Sequence, residues 1–212
     1  MPIHRRTLLG RAPALLIPLL GVGLGTGPIR PAFAQRADAR MDQRALGSPD
    51  AKVVVQEWFS LTCTHCAHFA LTVFPEVKAK LIDTGKVFFV FHDFPLDQLA
   101  LAAAAVARSL PPDRYLPFID SLFASQDRWA FGADPATELG HQAALAGMAG
   151  PEYQALSHDP LRDAIMAEQD DGQKRYDIQG TPTFIFGNDK AGLIETYADF
   201  AAATEKALAK PG

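Results

Sequence analysis

Two short runs, Val53-Val54-Val55-Gln56-Glu57-Trp58-Phe59 and Val87-Phe88-Phe89-Val90-Phe91, are β-branched or aromatic at nearly every position. A strand with one wet face alternates apolar and polar residues, so such continuity predicts strands covered on both faces of a sheet. Between them Phe69, Val73, Val77, Leu81 and Ile82 fall on one helical face that ends near Gly85, with Pro75 placed to kink it. Strand, helix, strand in that order forces a parallel pair with a crossover, which excludes all-α and purely antiparallel folds. Glu57, inside the first run, is thereby placed as a buried acid.

The flanking segments complete an α/β plan. Residues 35–52 are polar with a turn cluster at Gly47-Ser48-Pro49-Asp50 and read as a loose arm with one short strand. Residues 96–176 are Ala-rich, and Pro111-Pro112, Asp134-Pro135, Gly150-Pro151 and Asp159-Pro160 separate stretches of helical period, which predicts a helical insertion. Within it Tyr115, Phe118, Ile119, Leu122 and Phe123 form an apolar stripe that reads as packing core. After Gly180-Thr181-Pro182 come a strand at Thr183–Phe186, a turn at Gly187 to Lys190, a second strand at Leu193–Tyr197 and an Asp199-led helix. The expected organisation is therefore 35–95 with 177–212 as one domain, interrupted by the insertion at 96–176.

Arg5-Arg6, an apolar stretch from about Ala12 to Leu24, and Ala32-Phe33-Ala34 follow the order of a cleaved export signal over residues 1–34. Pro13, Pro18 and the glycines between 21 and 27 interrupt the run, which is short of the ~20 residues of a membrane span. Arg5-Arg6-Thr7-Leu8-Leu9 partly matches a twin-arginine pattern, with His4 in place of the usual Ser or Thr, and leaves the Sec and Tat routes equally open. Cleavage after Ala34 would deliver a periplasmic protein.

The whole chain carries 20 basic and 24 acidic side chains, a net charge of −4, with four arginines and no acid in residues 1–34. Removing that segment leaves −8. Such a surface argues against nucleic-acid partners, which require clustered positive charge.

Only two cysteines occur, in Cys63-Thr64-His65-Cys66, where the first buried run gives way to the helix. At a helix start, Cys63 faces unpaired backbone N–H groups and the positive end of the dipole, which favours a thiolate. Cysteines three apart in a first helical turn can also close into a disulfide, with Cys63 as the outer nucleophile and Cys66 as the inner, resolving thiol. A copper or zinc site using the pair with His65 and His68 is the competing reading, although no second ligand pair occurs elsewhere in the chain. A purely structural disulfide would close a loop too small to stabilise much. Covalent haem attachment is excluded, because Ala67 stands where that motif requires His.

Strand, Cys-x-His-Cys, helix, strand, helical insertion, Gly-Thr-Pro, hairpin and helix, spanning residues 44 to 209, resemble the DsbA family of thioredoxin-fold disulfide oxidoreductases. The family motif is usually Cys-Pro-His-Cys, and Thr64 stands at the Pro position. The resemblance implies a thioredoxin-like fold with an inserted helical subdomain and a redox-active Cys63–Cys66 disulfide. It implies Glu57 as a buried proton relay, His65 as a residue that lowers the nucleophile's pKa, and Thr181-Pro182 as a cis-proline edge for extended substrate. Reduced exported proteins are the implied partners, with a quinone-linked membrane reoxidase. The expected protein is a monomeric oxidase needing no cofactor. An isomerase or reductase is the nearest rival, and such isomerases generally need an N-terminal dimerisation module for which the short arm leaves no room.

Overall fold

A computed structural model describes residues 38–210; the expected export signal lies outside them. A 3-10 turn at Ala39–Met41 leads into β1 (Arg44–Leu46) and β2 (Val53–Phe59). A helical run follows, made of α1 (Thr64–His68), a π-helical turn Phe69–Val73, α2 (Phe74–Val77) and a second π-helical turn Lys78–Ile82. It delivers the chain to β3 (Val87–Asp93). Six helices come next: α3 (Gln98–Ser109), α4 (Pro112–Ala124), α5 (Gln126–Trp129), α6 (Pro135–Leu145), α7 (Gly150–Ala155) and α8 (Leu161–Tyr176). The chain then returns through β4 (Thr183–Phe186), β5 (Asp189–Lys190) and α9 (Tyr197–Leu208).

The strands form one mixed sheet in the order β1-β3-β2-β4-β5. β2 and β3 pair in parallel from Val53 opposite Val87 to Phe59 opposite Asp93, while β4 lies antiparallel on the other side of β2. This is the thioredoxin-like α/β arrangement. One face carries the main core, where Phe69, Phe74, Phe89, Phe91, Phe184 and Phe200 touch in a continuous aromatic cluster. The other face has a smaller cluster of Trp58, Phe94, Ile178 and Ile185.

The second face is covered only toward the C-terminal end of β2. Val54 is exposed, so the strand is not buried on both faces along its length as its composition predicts. Coverage begins where α8 arrives: the Gln56 amide donates to the Tyr176 hydroxyl at 3.1 Å, and Trp58 lies against Gly172 so closely that a Cβ there would meet its ring at 2.3 Å.

Pro75 interrupts the helical run in a specific way. Lacking an N–H, it cannot bond the Leu71 carbonyl, and the ladder widens: the Phe74 N–H reaches back five residues to the Phe69 carbonyl. The expected kink is thus taken up as a π-helical turn. The hairpin also departs from expectation. Gly187, at φ +64°, opens a two-residue turn, so Phe186 and Ile185 pair with Asp189 and Lys190. The partner strand therefore ends before residue 193, and Leu193 is exposed.

At the C-terminal end of β3 the charged residues gather. The Arg108 guanidinium, 1% exposed, donates from Nε to Asp93 Oδ2 at 2.6 Å and from Nη1 to the Asp42 carbonyl at 3.2 Å. Glu168 approaches Arg108 at 3.5 Å and holds His92 Nδ1 at 2.7 Å, and His92 stacks on Trp58 with ring centroids 4.3 Å apart. Arg44 and Arg108 flank the ring of buried Tyr115. The predicted stripe of Tyr115, Phe118, Ile119, Leu122 and Phe123 is buried in full.

Candidate active site

The cysteine motif sits at the junction of β2 and α1, held from three sides. The Cys63 N–H donates to the Ser60 carbonyl at 3.1 Å, and the Ala67 N–H returns to the Cys63 carbonyl at 3.1 Å, so Cys63 is the cap from which the helix starts. Thr62 donates its hydroxyl to Asp97 at 2.7 Å, and the same carboxylate caps α3 through the Ala100 N–H. From α5, the buried Gln126 amide donates to both the Leu61 and Cys63 carbonyls, at 2.8 and 3.1 Å. Two helices of the insertion therefore fix the loop that aims Cys63.

Cys63 and Cys66 are free thiols here. Cys66 is fully buried and Cys63 is 9% exposed, which makes Cys63 the accessible member. The Cys63 Sγ lies 3.3 Å from the Thr181 carbonyl oxygen, and the Thr181–Pro182 peptide bond is cis. The structure thus brings together Cys63, Cys66 and the Thr181-Pro182 loop, which the sequence separates by more than a hundred residues. Glu57 lies on the central strand, between Phe91 of β3 and Phe184 of β4. His65 and His68 are exposed on the first turn. Among the described residues no three His, Cys, Asp or Glu side chains come together as metal ligands.

Electrostatics divide the two sulfurs. A hydrogen bond from Cys66 is the main influence lowering the Cys63 thiol to about 5, against burial, with help from Thr181 and the backbone N–H groups of Cys66 and His65. The helix start that the sequence points to is present, but it ranks behind the partner thiol. His65 contributes through its main chain. Burial pushes Cys66 up, reinforced by its hydrogen bond to Cys63 and by the charges of Cys63 and Glu57. Burial also raises Glu57 to about 8, with the Cys63 thiolate adding to it. A ready thiolate, a protonated inner thiol and an acid able to hold a proton at neutral pH are what stepwise thiol exchange requires.

Sequence reasoning missed Gln126 and the Thr62–Asp97 contact, because a lone Gln or Asp in a polar stretch carries no periodic signal. It also missed Asp120, which shares a cavity with Glu57.

The thioredoxin family model matches residues 40–206. A Rickettsia bellii protein named as a protein-disulfide oxidoreductase is 30% identical over 200 residues, spanning 92% of this chain and 76% of its own length. A Rickettsia felis protein of the same name is 33% identical over 172 residues, which is 78% of this chain and 62% of that protein. Among solved structures, alpha-DsbA1 of Wolbachia pipientis shares 30% identity with a TM-score of 0.69, covering 78% of this chain and 90% of the other. Oxidised BdbD of Bacillus subtilis shares 26% identity with a TM-score of 0.69, covering 79% and 94%.

Proposed function

The chain belongs to the DsbA family of thioredoxin-fold protein-disulfide oxidoreductases, and from that premise we propose that it is an exported oxidase that introduces disulfides into client proteins through Cys63 and Cys66. The observation that carries this reading is the division between the sulfurs, with Cys63 lowered to about 5 and the deeper Cys66 raised. A thiol held as thiolate at pH 7 stabilises the dithiol form against the disulfide. After allowance for partial solvent screening at Cys63, the effect is about 2 kcal/mol, or roughly 45 mV toward the oxidising side.

The steps follow from the geometry. A client thiolate attacks Cys63 Sγ of the oxidised pair, the Cys63–Cys66 bond breaks, and Cys66 leaves as a thiolate that takes a proton from Glu57. The client's second thiolate then attacks the client sulfur of the mixed disulfide. Cys63 is expelled as the stable thiolate, and low pKa speeds its departure. Two electrons pass from the client dithiol to the Cys63–Cys66 pair. Sulfur alone carries the chemistry, and a quinone-linked membrane partner is the proposed sink for the electrons. Thr181 and Pro182 offer their backbone beside Cys63 as the edge along which an extended client segment lies, and the His65 main-chain N–H helps to hold Cys63 as the thiolate.

Export rests on the sequence of residues 1–34, and the periplasm is the proposed destination. Among the described residues no helix is long and apolar enough to cross a membrane. The proposed working unit is a monomer.

The test is refolding of a reduced two-cysteine client together with the potential of the pair against glutathione. An oxidase should be more oxidising than the glutathione couple, should lose turnover in Cys63→Ser, and should accumulate a client-linked species in Cys66→Ser. A potential at or below that of glutathione would assign a reductase instead.

A further inference from the structure

Beside Glu57, where α4 covers the sheet, lies a narrow cavity of about 20 Å³, room for roughly one water. Its walls are apolar, with Phe59, Phe74, Phe91 and Phe123 among them, and its only two ionisable lining groups are Glu57 and Asp120. Glu57 is 5% exposed, whereas Asp120 on α4 is open to solvent on its outer side. The cavity therefore joins a buried acid to an exposed one.

The groups facing Glu57 are few. β3 and β4 present Phe91 and Phe184, the helical run presents Cys63 and Cys66, and α4 presents Asp120. Among the described residues no cation acts on either carboxyl: burial and the Cys63 charge act on Glu57, and burial alone raises Asp120.

We propose that Asp120 exchanges the proton of Glu57 with solvent across this cavity, making the helical insertion the outer half of a proton relay that begins at Cys66. The inference rests on the role of Glu57 set out above. When the disulfide is reduced, the departing Cys66 thiolate takes the Glu57 proton. The Glu57 carboxylate is then reprotonated through a water from Asp120, and Asp120 from bulk solvent. On reoxidation Glu57 first releases its proton outward through Asp120 and then accepts the one that leaves Cys66. No electron moves along this path, which only resets Glu57 between turnovers. Asp120 acts through Glu57 and is a positioning residue, not one that touches the reacting sulfurs.

The experiment is multiple-turnover oxidation of a reduced two-cysteine peptide by the full chain, with oxidised glutathione regenerating the disulfide, from pH 5.5 to 8.5, for wild type, Asp120→Asn, Asp120→Glu and Glu57→Gln. The cavity model expects Asp120→Asn to be slower by about threefold to tenfold near pH 6 to 7, a small part of what a positioned acid–base group supplies. The deficit should shrink as pH rises and be reversed by added imidazole, with Asp120→Glu close to wild type. The Cys63 thiolate titration, the redox potential and the melting temperature should stay unchanged. Wild-type rates in Asp120→Asn beside a slow Glu57→Gln would overturn the relay and leave the role of Glu57 standing. Wild-type rates in both would overturn the role of Glu57 and the relay with it. A slow Asp120→Asn that imidazole does not rescue, or that shifts the thiolate midpoint, would mark a structural effect and also overturn the relay.

Discussion

Glu57 and Asp93 are buried carboxyls on neighbouring parallel strands, two rungs apart, since Glu57 pairs with Phe91 and Asp93 with Phe59. Burial raises both. Their surroundings differ in one respect. Asp93 has the Arg108 guanidinium at 2.6 Å, with Glu168 and His92 behind it, whereas Glu57 has apolar neighbours, two sulfurs and, across a small cavity, the Asp120 carboxyl. A buried acid with a cation in contact is fixed in place, because parting the two leaves an uncompensated charge. An acid without one can gain and lose a proton, because neither state is locked by a partner. One sheet thus carries an anchor at the rim of the insertion and a titrating group under the cysteines.

The comparison breaks most readily at Arg108. Replacing it with Ala strands Asp93 and should cost about 3 to 5 kcal/mol in denaturant unfolding, while the thiolate titration of Cys63 stays in place. A loss below about 1 kcal/mol would mean that Asp93 is no anchor, since buried pairs broken on one side cost several times that.

Glu57→Gln should act in the opposite direction. Glu57 has an ordinary value of 4.5 and a folded value of about 8, so its contribution to stability is full below 4.5 and is lost as pH rises through about 8. The amide has no such loss. In the dithiol form the variant should gain roughly 4 kcal/mol over wild type at pH 8 and nothing at pH 4, read from unfolding curves across that range. Thiol exchange near neutral pH should slow in the same variant. A pH-independent stability difference would show that Glu57 is held in one state, as Asp93 is.

A third test returns to the anchored side. Gly172→Ala places a Cβ 2.3 Å from the Trp58 ring and must push Trp58 off its stack with His92. Overpacking of this kind should cost about 1 to 3 kcal/mol, and exchange rates should be untouched. The smallest effect distinguishes donors at the inner thiol. Cys66→Ser keeps an O–H for Cys63 and Cys66→Ala does not, so the Cys63 midpoint in thiolate absorbance should lie about one unit higher in the Ala variant, roughly 1.4 kcal/mol. Equal midpoints would return the leading role to the helix start.

What the sequence makes legible is local in origin. β-branched runs at 53–59 and 87–91 announce the parallel pair, Pro at the second position of several turns announces the starts of α4, α6 and α7, and Gly180-Thr181-Pro182 announces the entry to β4, while its meeting with Cys63 is implied only by the family resemblance. The rest depends on distant partners. Nothing near Arg108 in an Ala-rich helix foretells Asp93, fifteen residues earlier, or Glu168, sixty residues later. The shortened hairpin follows from a two-residue turn whose register excludes Leu193, although that segment has strand-like composition. Asp120 interrupts an apolar stripe as any solvent-facing helix residue would, and only the packed cavity gives it a neighbour.

The two hydrogen bonds from Gln126 to the Leu61 and Cys63 carbonyls bear on the portability of this reactive pair. The tetrapeptide Cys63-Thr64-His65-Cys66 is short enough to transplant, but the amide that holds its approach belongs to a helix inserted after β3. Grafted alone onto a bare five-stranded scaffold, it would arrive without its brace, and its first carbonyl would keep only the bond from the N–H at the position of Ala67. The smallest unit of this chemistry that can be moved intact is therefore a motif together with the helix that steadies it, two pieces that must be inherited together.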